Sequence, residues 1–165
     1  MDMHTLEAYY CHHTPTLQDA SSEYAVLIPL LQKADGLHLL YEVRASSLHH
    51  HRNEVCFPGG RMEPGETPSV CALRETWEEL GIPPQRVQVF GEADFLHLRS
   101  EGLMRPVVGL LPPLSMADLI LNPLEVSRVF TVPVGWHMNS YYQKDISSLH
   151  HTAVFLWLRL MNYIN

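Results

Sequence analysis

The feature that most constrains the fold is a change of pattern near Thr67. Residues 57–66, FPGGRMEPGE, contain three glycines and two prolines, a composition typical of a tightly bent loop. From Thr67 onward the pattern predicts a helix, because Pro68 suits a first turn and Gly81, with the prolines after it, is a stop signal. The segment therefore predicts a bent loop that leads directly into a helix.

This helix has two different faces. Its apolar side chains recur at steps of three and four residues: Val70, Leu73, Trp77 and Leu80. At about 100° per residue, three glutamates fall on a nearly opposite sector: Glu75, Glu78 and Glu79. We therefore expect the helix to dock through the apolar stripe, with Trp77 in the core and the three carboxylates facing outward.

Apolar, β-favouring runs on both sides of the helix predict strands. They span residues 24–31, 37–43, 55–57, 87–96, 104–111 and 126–134. Asp35 and Gly36 predict a hairpin between the first two runs, and residues 44–54 are polar and aperiodic, which predicts a loop. Residues 152–164 predict a C-terminal helix. Together these elements indicate an α+β layered domain.

Length and charge limit the organisation and the partners. A chain of 165 residues favours one domain over 1–165, in which residues 1–22 form an N-terminal extension. The net charge of −7 and the presence of only two lysines leave no basic stripe to follow a phosphate backbone, so we expect no nucleic acid partner. A homodimer is left open.

Cysteine use and hydropathy indicate the compartment. Cys11, Cys56 and Cys71 are odd in number and show no CxxC spacing, which disfavours a disulfide framework or a cysteine zinc site. Residues 1–15 do not resemble a signal peptide, and no apolar run is long enough to cross a bilayer. We therefore expect a soluble, cytoplasmic protein without a membrane partner.

The glutamate cluster requires an explanation, because like charges at helical spacing repel one another. A solvated helix face is the ordinary interpretation of an acidic helix. Here the glycine-rich loop favours a divalent cation such as Mg²⁺, which binds clustered oxygen ligands together with substrate phosphates. Gly59 and Gly60 would let a backbone carbonyl approach the ion, and Arg74 can orient a carboxylate through two bonds.

The spacing of these residues resembles the signature of the Nudix hydrolases. Seven fixed positions match: Gly60, Glu66, Arg74, Glu75, Glu78, Glu79 and Gly81. Ile82 also matches, whereas Thr76 stands where the family has an aliphatic residue. The resemblance implies an α/β/α sandwich around a mixed β-sheet, with a catalytic loop-helix and a C-terminal helix. It also implies hydrolysis of a nucleoside diphosphate linked to another moiety, with Mg²⁺ or Mn²⁺.

The same resemblance implies roles for individual residues. Metal ligands would be Glu75, Glu78, Glu79 and the carbonyl of Gly59. Catalytic residues would be Glu78, Arg74 and Glu66, the last two by orienting or supporting the ligands. Which glutamate acts as the base for the attacking water stays open.

The residues before this signature resemble the upstream motif of the coenzyme A pyrophosphatase subfamily. Leu40, Arg44 and the FPGG of residues 57–60 match it, whereas Ala45, His49 and Asn53 depart from it. Arg44 and His49 are then candidate substrate-binding residues, although imidazole lacks the guanidinium fork. Downstream similarity makes Glu125 a candidate for an additional ligand or base.

Several alternatives stay open at this stage. The histidines of residues 49–51 are interpreted first as a surface loop, and otherwise as phosphate contacts or a transition-metal site. The expected reaction is cleavage of coenzyme A or a derivative into 3',5'-ADP and 4'-phosphopantetheine. Hydrolysis of ADP-ribose or a dinucleotide is the alternative. A non-catalytic nucleotide-binding module is less favoured, because every glutamate of the signature is present.

Overall fold

The structure is a computed structural model that describes residues 22–98 and 102–135. In this part of the chain the α-helix α1 spans Pro68–Leu80, and the last two described residues, 134–135, are also helical. Short 3₁₀ turns occur at Pro84–Arg86 and Met116–Asp118. The strands are β1 (Glu23–Lys33), β2 (Gly36–Arg44), β3 (Val55–Cys56), β4 (Gly59–Arg61), β5 (Gln88–Glu92), β6 (Leu96–Leu98), β7 (Gly102–Leu110) and β8 (Val126–Pro133).

These strands form one mixed sheet. The main order is β3-β2-β1-β7-β5, with β4 paired to β1, β6 to β7 and β8 to β2. β1 and β7 run parallel, whereas the other pairs are antiparallel. The predicted hairpin is confirmed, because Lys33 lies opposite Gly36 at the tip of β1 and β2. The predicted α+β class with a mixed sheet is also confirmed.

The predicted ends of the helix are confirmed by its caps. The Oγ1 atom of Thr67 accepts a hydrogen bond from the Val70 backbone N–H at 3.3 Å, and Pro68 lies in the first turn. Gly81 adopts a left-handed conformation, and its N–H donates to the Trp77 carbonyl at 2.9 Å. Local residue chemistry therefore determines where the helix begins and ends.

The two faces of the sheet carry different apolar clusters. Because side chains alternate along a strand, Leu27 and Leu40 face α1 and pack with Cys71 and Leu80. The second cluster lies on the other face and consists of Val26, Ile28, Leu30, Leu39, Tyr41 and Phe57. The predicted C-terminal helix of residues 152–164 lies outside the described residues.

The predicted buried face of the helix is wrong for Trp77 and Val70, whereas Leu80 is buried as predicted and Leu73 packs against the core. Trp77 and Val70 are 56% and 53% exposed, whereas Glu79 is only 2% exposed. The buried face consists instead of Cys71, Ala72, Thr76, Glu79 and Leu80, with Pro68 at its start. Small side chains let the helix approach the sheet closely, and the Thr76 hydroxyl is satisfied by donating to the Ala72 carbonyl at 2.7 Å.

Two strand predictions also need correction. Residues 87–96 were expected to form one strand, but β5 ends at Glu92 and β6 begins at Leu96. The glycine-rich loop was expected to be a bend throughout, but Gly59–Arg61 pairs with β1 as β4. Among the described helices, none has the length and apolar character needed to span a bilayer.

Candidate active site

The bent loop is attached to the sheet at its first residues. Gly60 lies opposite Ala25 in the pairing of β4 with β1. A side chain at residue 60 would collide with the carboxyl group of Glu75, so glycine at this position allows Glu75 to hold its place. The loop and α1 are thereby held against each other at the residues of the signature.

Arg74 is the centre of the polar contacts in the site. Its Nε atom donates to Oε1 of Glu66 at 2.8 Å, and its Nη2 atom donates to Oε2 of Glu66 at 3.1 Å. Its Nη1 atom donates to Glu75 at 2.8 Å and to Glu78 at 3.4 Å. A single guanidinium thus brings together three of the predicted site carboxylates.

These three carboxylates differ in exposure. The side chains of Glu66 and Glu75 are 12% and 15% exposed, whereas that of Glu78 is 49% exposed. The pKa of Glu66 is lowered to about 2, mainly by the hydrogen bond from Arg74. Burial raises the pKa of Glu75 despite the opposing effect of Arg74. Of the three, Glu78 is the most accessible to solvent.

Glu79 does not face outward, which corrects the prediction from the sequence. Its Oε2 atom accepts a hydrogen bond from the Gly59 backbone N–H at 2.9 Å. Burial raises the pKa of Glu79, and the negative charge of Glu42 raises it further. The Gly59 contact shown here is therefore an N–H donated to a carboxylate, and the predicted role of the Gly59 carbonyl stays a prediction.

Glu42, which is fully buried on β2, was not predicted as a site residue from the sequence. Its Oε1 atom accepts a hydrogen bond from the Cys56 Sγ atom at 3.3 Å. Burial raises its pKa, and the charges of Glu125 and Glu75 add to the effect. An isolated glutamate in the apolar run LLYEV was the available signal, since buried carboxylates need a partner.

Glu125 lies in the loop before β8, at intermediate exposure. Its carbonyl accepts a hydrogen bond from the Ala45 backbone N–H at 2.7 Å, which joins this loop to the end of β2. Its charge acts on Glu42, Glu75 and Glu79. The fold thus brings Glu125 into electrostatic range of the signature glutamates, which leaves its predicted role open.

The two predicted substrate-binding residues, Arg44 and His49, lie at the end of β2 and in the loop after it, just beyond Glu42. Arg44 is the last residue of that strand, and its buried Nε atom has no hydrogen-bond partner among residues 22–98 and 102–135. His49 is exposed in the following loop. His51, in the same loop, contacts Glu54 at 3.0 Å through its Nδ1 atom.

An open cavity of about 800 Å³ adjoins one side of the site. Its lining includes Glu66, Arg74, Glu75, Arg61 and Arg105. The last two were not predicted from the sequence. The volume is within the range of pockets that bind small molecules. Glu78, Glu79, Glu125, Arg44 and His49 do not line the cavity.

The donor chemistry of the site fits a hard divalent cation, because the clustered groups are carboxylates. The fit also rests on Oε2 of Glu42, which is buried and lacks a hydrogen-bond partner among the described residues. As the side chains lie, no three carboxyl, imidazole or thiol groups of the described segments form a ready set of ligands. Glu75 contacts Arg74, so a bound cation would share or replace that contact.

Comparison with known proteins identifies the family. The family model described as NUDIX domain matches residues 22–114. The chain belongs to the Nudix family. It is 38% identical over 146 residues to the uncharacterized Nudix hydrolase NudL of Photorhabdus laumondii, covering 86% of this chain and 76% of that protein. The resemblance inferred from the signature is therefore confirmed.

Two further relatives of this Nudix chain are longer proteins. Nudix hydrolase 3 of Caenorhabditis elegans is 40% identical over 70% of the chain. The peroxisomal coenzyme A diphosphatase NUDT7 of Mus musculus is 38% identical over 78% of the chain. The matched region spans 49% and 55% of these relatives, about half of their length.

Solved structures confirm the Nudix fold. A Caenorhabditis elegans Ap4A hydrolase in a binary complex has a TM-score of 0.65 at 16% identity, covering 86% of this chain and 97% of that chain. The NUDIX domain of Shewanella oneidensis NrtR, complexed with ADP ribose, has a TM-score of 0.61 at 16% identity and covers the whole of both chains. At these identities the similarity concerns the fold alone.

Proposed function

We propose that this chain is a cation-dependent Nudix pyrophosphohydrolase whose substrate is coenzyme A or a derivative of it. Hydrolysis adds water across the diphosphate, breaks one phosphorus–oxygen bond and yields 3',5'-ADP and 4'-phosphopantetheine. The observation that carries the hydrolase proposal is the contact of Arg74 with Glu66, Glu75 and Glu78. A signature that retains all its glutamates and is held in this way is the arrangement expected of an active enzyme.

The proposed cation is Mg²⁺ or Mn²⁺, held by Glu75, Glu78 and Glu79, with the Gly59 carbonyl as a further candidate. When bound, it would withdraw charge from the phosphate oxygens and lower the pKa of a bound water. Arg74 and Glu66 would act by holding the ligands in position. Glu78 is our candidate base, since it is the most exposed carboxylate of the Arg74 cluster.

Coenzyme A is favoured as the substrate by two observations. The chain is 38% identical over 131 residues to a protein named a coenzyme A diphosphatase. Arg44 also ends β2 with a buried Nε atom that has no hydrogen-bond partner in the described part of the chain, as suits a residue that receives an anion. We propose that Arg44 and His49 contact the substrate. The adjoining cavity would hold a part of the substrate outside the diphosphate.

Hydrolysis of another nucleotide, such as ADP-ribose or a dinucleotide, is the second candidate. Fold neighbours include an Ap4A hydrolase and a domain complexed with ADP ribose. A small-molecule nucleotide is the proposed partner in either case. A cytoplasmic location, a single domain over residues 1–165 and a homodimer remain predictions.

The test is a substrate panel assayed with Mg²⁺ or Mn²⁺. Purified protein is incubated with coenzyme A, dephospho-coenzyme A, ADP-ribose and a dinucleoside polyphosphate, and products are separated by chromatography. We expect coenzyme A to give 3',5'-ADP and 4'-phosphopantetheine with the highest kcat/KM, and Glu79→Gln to remove most of this activity. Faster cleavage of ADP-ribose or the dinucleotide would replace the coenzyme A proposal, and no cleavage of any compound would favour a binding module.

A further inference from the structure

Glu42 is a buried carboxylate with few hydrogen bonds, although the charge of Arg44, two residues along the strand, acts on it. It is fully buried, and its Oε2 atom has no hydrogen-bond partner among the described residues. Within the described part of the chain, its Oε1 atom receives only the Sγ–H of Cys56, at 3.3 Å, and a thiol is a weak donor. Buried polar atoms are normally satisfied, so an exception requires a reason such as an ion.

The strand directs Glu42 toward the catalytic helix. Leu40 packs in the cluster that contains Leu80 of α1. Side chains two residues apart on a strand share a face, so Glu42 lies on the same side of the sheet as α1. Glu79 is buried on the facing side of α1, and the charge of Glu42 acts on it.

We propose that Glu42 is a further ligand of the divalent cation, supplied by the sheet and lying outside the Nudix signature. This inference rests on the proposed function, because that function supplies the cation. A cation between Glu42 and Glu79 would supply positive charge to both buried groups, in addition to the charge of Arg44 that already acts on Glu42. The Oε2 atom is the ligand atom, since Oε1 is already bonded to Cys56.

The first test measures Mn²⁺ binding without reference to activity. Calorimetric titration and thermal melts with and without Mn²⁺ are compared for the wild type and Glu42→Gln. We expect Glu42→Gln to raise the Kd for Mn²⁺ at least tenfold and to reduce the Mn²⁺-induced rise in Tm. With a chelator, its Tm should equal or exceed that of the wild type, because the substitution removes a buried charge and keeps the shape.

A matched control is Glu92→Gln, the same chemical change at an exposed carboxylate that pairs with Arg105. It should bind Mn²⁺ as the wild type does. Wild-type affinity in Glu42→Gln would overturn the inference while leaving the proposed function intact. A wild-type protein that binds no Mn²⁺ would instead overturn the cation-dependent function and the inference together.

The second test does not require a substituted protein to fold. Wild-type crystals containing Mn²⁺ are examined by anomalous diffraction. We expect an anomalous peak within coordination distance of Oε2 of Glu42 and of a Glu79 carboxylate oxygen. An ion held by the helix glutamates with Glu42 outside coordination distance would overturn the inference, even if Glu42→Gln had weakened binding through a change in folding.

Discussion

Arg74 holds Glu66 through two hydrogen bonds, Nε to Oε1 at 2.8 Å and Nη2 to Oε2 at 3.1 Å. Glu66 belongs to the bent loop, and Arg74 lies at the middle of α1. The same guanidinium contacts the Arg61 carbonyl at 3.3 Å through Nη2. The pair therefore joins the loop to the helix that carries the proposed ligands.

Arg74→Lys should retain the positive charge and lose the forked contact. Lysine cannot bond both oxygens of Glu66 and also contact Glu75 with the same geometry. Charge-assisted hydrogen bonds contribute about 1.5–3 kcal/mol, so loss of one in the transition state predicts a fall in kcat/KM of about 10- to 150-fold. Steady-state kinetics on the best substrate measure this change. Arg86→Lys, on the 3₁₀ turn after the helix, is the control and should retain wild-type kinetics.

Glu66→Gln should alter the dependence of stability on pH. Hydrogen bonds from Arg74 and then from the Glu63 N–H hold the pKa of Glu66 at about 2, below its ordinary value of 4.5. Because the folded-state pKa is the lower one, the stabilisation is present above pH 4.5 and is lost as the pH falls toward 2.

The measurement is urea unfolding of the wild type and Glu66→Gln between pH 7 and pH 2.5, with a chelator present. We expect the variant to be less stable at neutral pH and the difference to shrink in acid. Glu63→Gln, an exposed neighbour on the same loop, is the control. A stability difference that stays constant across this range would contradict the assigned role of the Glu66 charge.

Leu80→Ala should lower the free energy of unfolding more than Trp77→Ala does, although tryptophan is the larger side chain. Trp77 is 56% exposed, so its truncation should cost about 1 kcal/mol or less. Leu80 is fully buried, and Leu→Ala at such sites costs about 2–5 kcal/mol. Urea denaturation at neutral pH compares the two unfolding free energies. A larger loss for Trp77→Ala would show that its side chain is buried in the folded protein in solution.

The elements predicted correctly are those with local signals. Thr67 and Gly81 determine the helix ends through contacts within four residues, and Asp35 with Gly36 forms the hairpin turn. The loop and helix also contain every glutamate of the Nudix signature, so the candidate site was found from one continuous segment. These features depend on residues that are neighbours in the sequence.

The features that were missed depend on tertiary packing. The apolar periodicity of the helix predicted that Trp77 is in the core. Instead the small Ala72 packs against the sheet, and the buried Thr76 hydroxyl donates a hydrogen bond within the helix. Glu42 lies on a strand far from Glu79 in the sequence, so no local pattern relates the two. The periodicity of apolar residues within one segment does not show that Glu42 on a strand and Glu79 on a helix are both buried on the same side of the sheet.

The proposed role of Arg44 predicts discrimination between coenzyme A and dephospho-coenzyme A. These compounds differ by the 3'-phosphate, and a charge-assisted bond to it is worth about 1.5–3 kcal/mol. We expect kcat/KM for coenzyme A to exceed that for dephospho-coenzyme A at least tenfold. Arg44→Ala should remove most of this difference by slowing coenzyme A, while cleavage of the dephospho compound stays within about threefold of wild type, since that compound lacks the group Arg44 would bind.

Arg52→Ala is the matched control, because Arg52 is an exposed arginine in the loop that follows Arg44. It tests whether general loss of positive charge near the loop is sufficient to reduce discrimination. Arg44→Lys separates charge from geometry, since lysine retains the charge without the fork.

His49→Ala should also lower the ratio of kcat/KM between coenzyme A and dephospho-coenzyme A if His49 contacts the 3'-phosphate. Equal kcat/KM for the two compounds in the wild type, or an undiminished preference in Arg44→Ala, would contradict the assignment of Arg44 to the 3'-phosphate and leave the hydrolase proposal to be decided by the substrate panel.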